Sequence, residues 1–168
     1  MRDESSWVPM RIKRVLRLKK HEIEKYYAFV DVLFKTINEE TYVIDTSEDA
    51  IIRAIIQLVA DGKDVSKINQ FYNEIVKCAE ELNYIQRYTG CDIYSLPEHT
   101  FYKNGWYVNP NDSDYTGDIE IFETIVSYVV DPAHTGETKV IFSDGKHERI
   151  QVIKFGKKED GTPFVDVF

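Results

Sequence analysis

The apolar residues of this chain change their period near Tyr88, and that change limits what the chain can fold into. Before Tyr88 they recur at three- and four-residue spacing, the period of a helix with one buried face. After it, β-branched runs are split by turn residues. The first helical stripe spans residues 20–37 and carries Ile23, Tyr26, Tyr27, Val30, Leu33, Phe34 and Ile37. The second opens at Thr46-Ser47-Glu48-Asp49, a cap with acid in the first turn, and stops at Asp61-Gly62. Ile51, Ile52, Ile55, Ile56, Leu58 and Val59 fill it. The third starts after Asp64 or Ser66 and carries Ile68, Phe71, Tyr72, Ile75, Val76, Ala79, Leu82 and Ile85. Three stripes with short joins describe a small helical bundle. The basic stretch before them, residues 10–20, fits either a short strand or the first turns of a helix.

Thr89-Gly90 breaks the last stripe, and Pro97, Lys103-Asn104-Gly105 and Pro110 mark loops. Residues 119–130 read as a strand. Residues 139–142 and 149–155 read as a hairpin across Asp144-Gly145, a strong short-range hairpin signal. Residues 163–168 read as the last strand. The expected fold is therefore α+β: an N-terminal three-helix unit followed by an antiparallel β meander of four to five strands. Residues 1–90 would form a helical subdomain with a basic N-terminal segment, residues 91–168 an antiparallel β subdomain, and the two one compact unit.

At 168 residues and 43% hydrophobic content the chain can bury a real core. No run approaches the ~18–20 apolar residues needed to span a bilayer, and Met-Arg-Asp-Glu-Ser-Ser-Trp has no apolar signal core. Cys78 and Cys91 lack metal-type spacing. A reduced, cytoplasmic setting is the expectation, with one disulfide open to the chain if it is exported.

Charge is divided unevenly. Residues 1–25 hold eight Lys/Arg against four acids, a net +4; the other 143 residues hold 13 against 25, a net −12. A −12 body repels phosphates, so nucleic acid is the less favoured partner and a protein with a basic surface the more favoured one. Any contact with phosphates or an acidic partner falls to Arg11, Lys13, Arg14, Arg17, Lys19 and Lys20. A helix-turn-helix over residues 47–76 would read DNA through Lys67, Asn69, Gln70 and Asn73, with little positive charge to hold it.

Residues 112–123 read Asp-Ser-Asp-Tyr-Thr-Gly-Asp-Ile-Glu-Ile-Phe-Glu. Over these twelve residues the chain resembles the calcium loop of EF-hand proteins. The resemblance implies side-chain ligands Asp112, Asp114, Thr116 and a bidentate Glu123, with the carbonyl of Asp118 as a further ligand and Gly117 in the turn. The flanking residues 106–111 and 124–130 read as strands, where that family has helices. Calcium is the one cofactor the sequence raises.

His21, His99, His134 and His147 show no metal spacing, and no phosphate loop or nucleophile motif is present. The reading leans away from an enzyme. Glu98, His99, Asp112 and Asp114 form the polar cluster from which a catalytic pair would come. Aromatic residues gather instead among the loop signals. Tyr94, Tyr102, Trp106, Tyr107 and Tyr115, with Glu98, have the composition of a protein-binding surface. The expectation is a non-catalytic, acidic binding or regulatory protein acting by protein–protein interaction. Phage- and mobile-element-encoded inhibitors of host defence or nucleic-acid enzymes share this composition. A calcium module and a nucleic-acid-binding regulator are the alternatives. Partner identity and oligomeric state are not legible in the residues.

Overall fold

The computed structural model describes residues 8–38, 40–41, 43–89, 107–108 and 115–168, and all their side chains except those of 8–10, 88–89, 107–108 and 115–119. The elements run β1 (Val8–Val15), α1 (Lys20–Lys35), α2 (Glu48–Ala60), a 3-10 turn (Ile68–Phe71), α3 (Tyr72–Thr89), β2 (Tyr107–Val108), α4 (Tyr115–Val129), β3 (Thr135–Ser143), β4 (Glu148–Lys157) and β5 (Pro163–Val167). The strands form one sheet of order β2-β1-β3-β4-β5, antiparallel throughout.

The class is α+β, but the expected arrangement, three helices and then a four- to five-stranded meander, is not what forms. A strand precedes the helices, and a fourth helix interrupts the β half. β1 pairs with β3, which lies more than a hundred residues further on. Its alternation is hard to see in the sequence because basic residues stand on both faces, Arg11 and Lys13 outward and Arg14 inward. Ile12 and Arg14 are buried, while Lys13 between them is not.

Residues 119–130, read as a strand from their β-branched content, belong mostly to α4. Every residue from 121 to 130 is buried. A helix buried all round is a core helix, and its sequence carries little period to separate it from a buried strand. Burial on all sides outweighs the modest strand preference of valine and isoleucine.

The other elements follow the local chemistry. The β3–β4 hairpin turns at Gly145, φ +93°, and the Asp144 carboxylate accepts from the amides of Lys146 and His147 at 2.9 and 2.7 Å. The cap of α2 is Ser47 rather than Thr46: its hydroxyl accepts from Ala50 N at 3.3 Å. Asn83 on α3 clasps Ile44 through both backbone groups, at 2.8 and 2.9 Å, and so ties down the loop before α2. Helices α1, α3 and α4 pack with the inner sheet face around one core. Tyr26, Phe29, Leu33, Ile75, Leu82, Ile121, Ile125 and Phe155 are its largest enclosed side chains. α2 lies outside this layer, against α1. Among the described residues no helix is long and apolar enough to cross a membrane.

Candidate functional site

Two residues that the sequence assigns to different sites are partners in the core. Glu123 of α4 is fully buried, and Arg14 of β1 is 5% exposed. Arg14 Nε donates to Glu123 Oε1 at 3.0 Å, and the Thr138 hydroxyl of β3 donates to the same oxygen at 3.0 Å. Arg14 and Thr138 are register neighbours across β1 and β3, so the sheet presents both donors to the helix. The guanidinium also rests 4.5 Å above the Phe122 ring. Burial pushes the Glu123 carboxyl up to about 7, against the pull of Arg14 and Thr138.

This pairing bears on the calcium reading. Thr116, Asp118 and Glu123 all lie on one helix, and Asp112 and Asp114 fall outside the described residues. As folded, the carboxylate that would hold calcium in two-point fashion gives Oε1 to Arg14 and Thr138, and its Oε2 is buried without a hydrogen bond to any described residue. Among the described residues no group of three or more His, Cys, Asp or Glu is placed to hold a metal ion.

The basic segment is divided as well. Arg11, Lys13 and Arg14 belong to β1, Arg17 and Lys20 are exposed, and Lys19 is paired with Asp131. Of the aromatic set, Tyr94, Glu98, Tyr102 and Trp106 lie outside the described residues. Tyr107 is on β2 and Tyr115 opens α4, with their side chains undescribed. Cys91 and His99 also lie outside.

A second polar cluster was not legible in the sequence. It joins the start of α1 to the turn between α4 and β3. The fully buried Glu22 accepts from Lys19 N at 2.8 Å through Oε1. Its Oε2 takes Asp131 N at 2.9 Å and His134 Nδ1 at 2.6 Å. Asp131 in turn holds Lys19 Nζ at 3.0 Å and His21 Nε2 at 2.9 Å. Burial alone would raise the Glu22 carboxyl. The two amides and the His134 ring overcome it and hold that carboxyl below the ordinary carboxylate range. Hydrogen bonds from His21 and Lys19 likewise lower Asp131.

The backbone beside this cluster is strained. Ala133 has φ +64°, and its amide donates to Lys158 O. Opposite it, Gly156 of β4 has φ +137° and passes under the His134 carbonyl. The next residue, Lys157, donates its amide to that carbonyl at 3.1 Å. Strain of this kind gathers where a structure holds side chains in place for a purpose.

A cavity of about 540 Å³ opens beside the cluster. Ala28, Ile68, Phe71 and Val129 give it apolar walls, and His21, Lys25 and Asp131 are among its polar lining. Lys25 is paired with Glu74 at 3.0 Å and lies 4.1 Å above the Phe71 ring.

Because Glu22 titrates lower in the folded protein than in the unfolded chain, its stabilisation has a defined pH window. It is complete above the ordinary carboxylate range and is lost as pH falls through that range toward the folded value. Glu22→Gln removes the charge facing His134 and keeps one acceptor oxygen of the two, so one of the two backbone amides also loses its partner. Thermal melts between about pH 5.5 and 3 are therefore expected to fall more steeply for wild type than for the variant. Parallel curves would contradict this role for Glu22.

The remaining surface feature is α2. Its buried residues are Ala50, Ile51, Ala54 and Leu58. At 100° per residue, Ile52, Ile55, Ile56 and Val59 fall on the adjoining arc. Ile52, Ile56 and Val59 are 44%, 62% and 56% exposed. The signal was present in the sequence, since six large apolar residues in one short helix are more than one buried face can use. Comparison with protein-family models, with curated proteins and with solved structures finds no match for this chain.

Proposed function

We propose that this chain is a non-catalytic binding protein that acts by occupying a partner's surface, with the outer face of α2 as its contact. The reading is supported by one observation above all: Ile52, Ile56 and Val59 form a stripe of large aliphatic side chains left in water. Single exposed leucines or isoleucines are ordinary, but a helical stripe of them, continuous with the buried side of its helix, marks an interaction surface. The helix-in-groove mode uses this spacing of anchors.

The rim of the stripe favours a basic partner. Asp45, Glu48 and Asp49 stand at the N-terminal end of α2, all exposed. They belong to the −12 body of residues 26–168. An apolar groove edged by lysine or arginine would meet this surface with complementary charge. A stoichiometric inhibitor or an adaptor works in this way.

The test is Ile56→Glu. The side chain is exposed, so stability should move by no more than about 0.5 kcal/mol. A charge at the centre of the stripe should nevertheless abolish co-purification of the partner from the natural host. Ile150→Glu, on an exposed isoleucine of β4 that is 60% accessible, should leave the partner bound. Loss with Ile150→Glu and retention with Ile56→Glu would overturn the assignment.

A further inference from the structure

Among the described residues β5 is an outermost strand of the sheet, with β4 on one side and no strand on the other. The pairing is antiparallel, so the backbone groups of β5 point alternately toward β4 and away from it. Phe168 exchanges both bonds with Val152, at 2.8 and 3.4 Å, and Thr162 accepts from Lys158 N at 3.0 Å. With that phase, Thr162, Phe164, Asp166 and Phe168 bond to β4. The N–H and C=O groups of Val165 and Val167 point outward, and no hydrogen bond joins them to any described residue. An edge of this kind is a template for another strand. Pro163, which has no N–H to offer, limits it on one side.

The side chains set the kind of strand that fits. On the sheet face away from the helices, Val15, Glu137, Lys154 and Asp166 lie in one register row across β1, β3, β4 and β5. Charge alternates along the row from Glu137 to Lys154 to Asp166, so a cation opposite Asp166 continues it. Asp166 is exposed and makes no ion pair with any described residue. A hollow of about 380 Å³ lies against the row, with Glu137, Lys154, Phe164 and Asp166 in its lining, two acids against one base. In a new ladder built on Val165 and Val167, Asp166 and its opposite residue form the non-hydrogen-bonded pair, in which side chains stand closest.

We propose that the free edge of β5 takes an extended segment of a partner protein as an added antiparallel strand, with a lysine or arginine of that segment opposite Asp166. Main-chain bonds to Val165 and Val167 supply the attachment, and the charge row supplies the selectivity. A second copy of the chain is the disfavoured occupant. Pairing Val165 of one copy with Val167 of the other, in both directions, sets Asp166 directly against Asp166, where like charges repel. The edge and α2 stand on different elements, and neither reading depends on the other.

The probe is a blocked heptapeptide, acetyl-Thr-Val-Thr-Lys-Thr-Val-Thr-amide, titrated into the full chain and followed by heteronuclear NMR. Its lysine belongs opposite Asp166 and the two threonines beside that lysine opposite Val165 and Val167. The peptide is expected to shift the amides of Val165 and Val167 and to slow their hydrogen exchange. Replacing its lysine by glutamate should weaken binding roughly fivefold. Asp166→Asn should abolish that discrimination, and Asp166→Lys should reverse it; the side chain is exposed, so both variants should fold. N-methylation of the two threonines that flank the lysine removes the donors to Val165 O and Val167 O, and binding should be lost. Shifts that leave β5 untouched, no shifts at all, undiminished binding of the N-methylated peptide, or a lysine preference unchanged in Asp166→Lys would each overturn the proposal. Protection of the Val165 and Val167 amides that rises with protein concentration alone would overturn it too, in favour of a second copy.

Discussion

Glu123→Ala should lower the stability of the protein by about 3–5 kcal/mol, the loss expected when one member of a buried ion pair is removed and the other keeps its charge in the core. Arg14 is 5% exposed and its Nε is given to Glu123, so truncation leaves the guanidinium without its carboxylate and strips Thr138 of its acceptor. Glu123→Gln is expected to be milder, about 1–3 kcal/mol, because the amide oxygen still accepts from both donors. Arg14→Met combined with Glu123→Leu should recover most of the loss, since apolar replacement of both partners removes the buried charges together. The wild-type carboxyl, pushed up to about 7, gives this pair its own pH signature. The folded state holds the proton more tightly than the unfolded chain does. Stability therefore falls as pH rises from the ordinary carboxylate range through about 7, and Glu123→Gln should lack that slope. Chemical denaturation at several pH values measures both effects. Equal stabilities for the Ala and Gln variants would show that the charge pair does not hold α4 to the sheet.

Gly156→Ala is the second large effect expected, about 2–5 kcal/mol. Gly156 sits at φ +137°, where an L side chain is strained. A Cβ there would lie 2.3 Å from His134 O and 2.7 Å from Thr135 Cα, both backbone atoms that cannot turn aside. The contrast is Gly145→Ala, at φ +93° with open space around it, which should cost only about 1 kcal/mol. The substitution at 156 acts on the site as well as on stability. Relieving the clash would shift the 131–134 turn, and with it the His134–Glu22 bond and the Lys157 amide that sits on His134 O. The variant should therefore lose part of the acid-sensitive stability assigned to Glu22. Equal melting temperatures for the 145 and 156 variants would show that the strands are free to separate there.

What was legible in the sequence, and what was not, follows from where each signal is written. Local chemistry was readable. Ser47-Glu48-Asp49 announces a helix start, Asp144-Gly145 a hairpin, and the stripes of α1 and α3 show their buried faces. Signals that depend on distant pairing were not. β1 owes its place to β3, and its inward Arg14 looks like a break in a strand pattern until Glu123 is set opposite it. α4 was misread because complete burial removes the polar face that gives a helix its period. Glu22, Asp131, His134 and Lys157 come from three separate stretches of chain, and nothing about their spacing announces that they converge. Asp131 and His134 lie in the turn between α4 and β3, and that turn is what brings them to Glu22. The acidic run at 112–123 shows spacing and backbone pointing different ways. Its spacing matched an ion-binding loop, while nine of its twelve residues belong to a helix whose Glu123 faces the core.

Photo-crosslinking from α2 in cells that naturally make the protein bears most directly on the claim that its outer face meets a protein partner. Benzoylphenylalanine would be placed at Ile52, Ile56 or Val59, and, as a control, at the exposed Lys146 of the β3–β4 turn. A discrete heavier adduct from the three α2 positions and none from Lys146 is the predicted result. No adduct from α2, or the same adducts from all four positions, would contradict it.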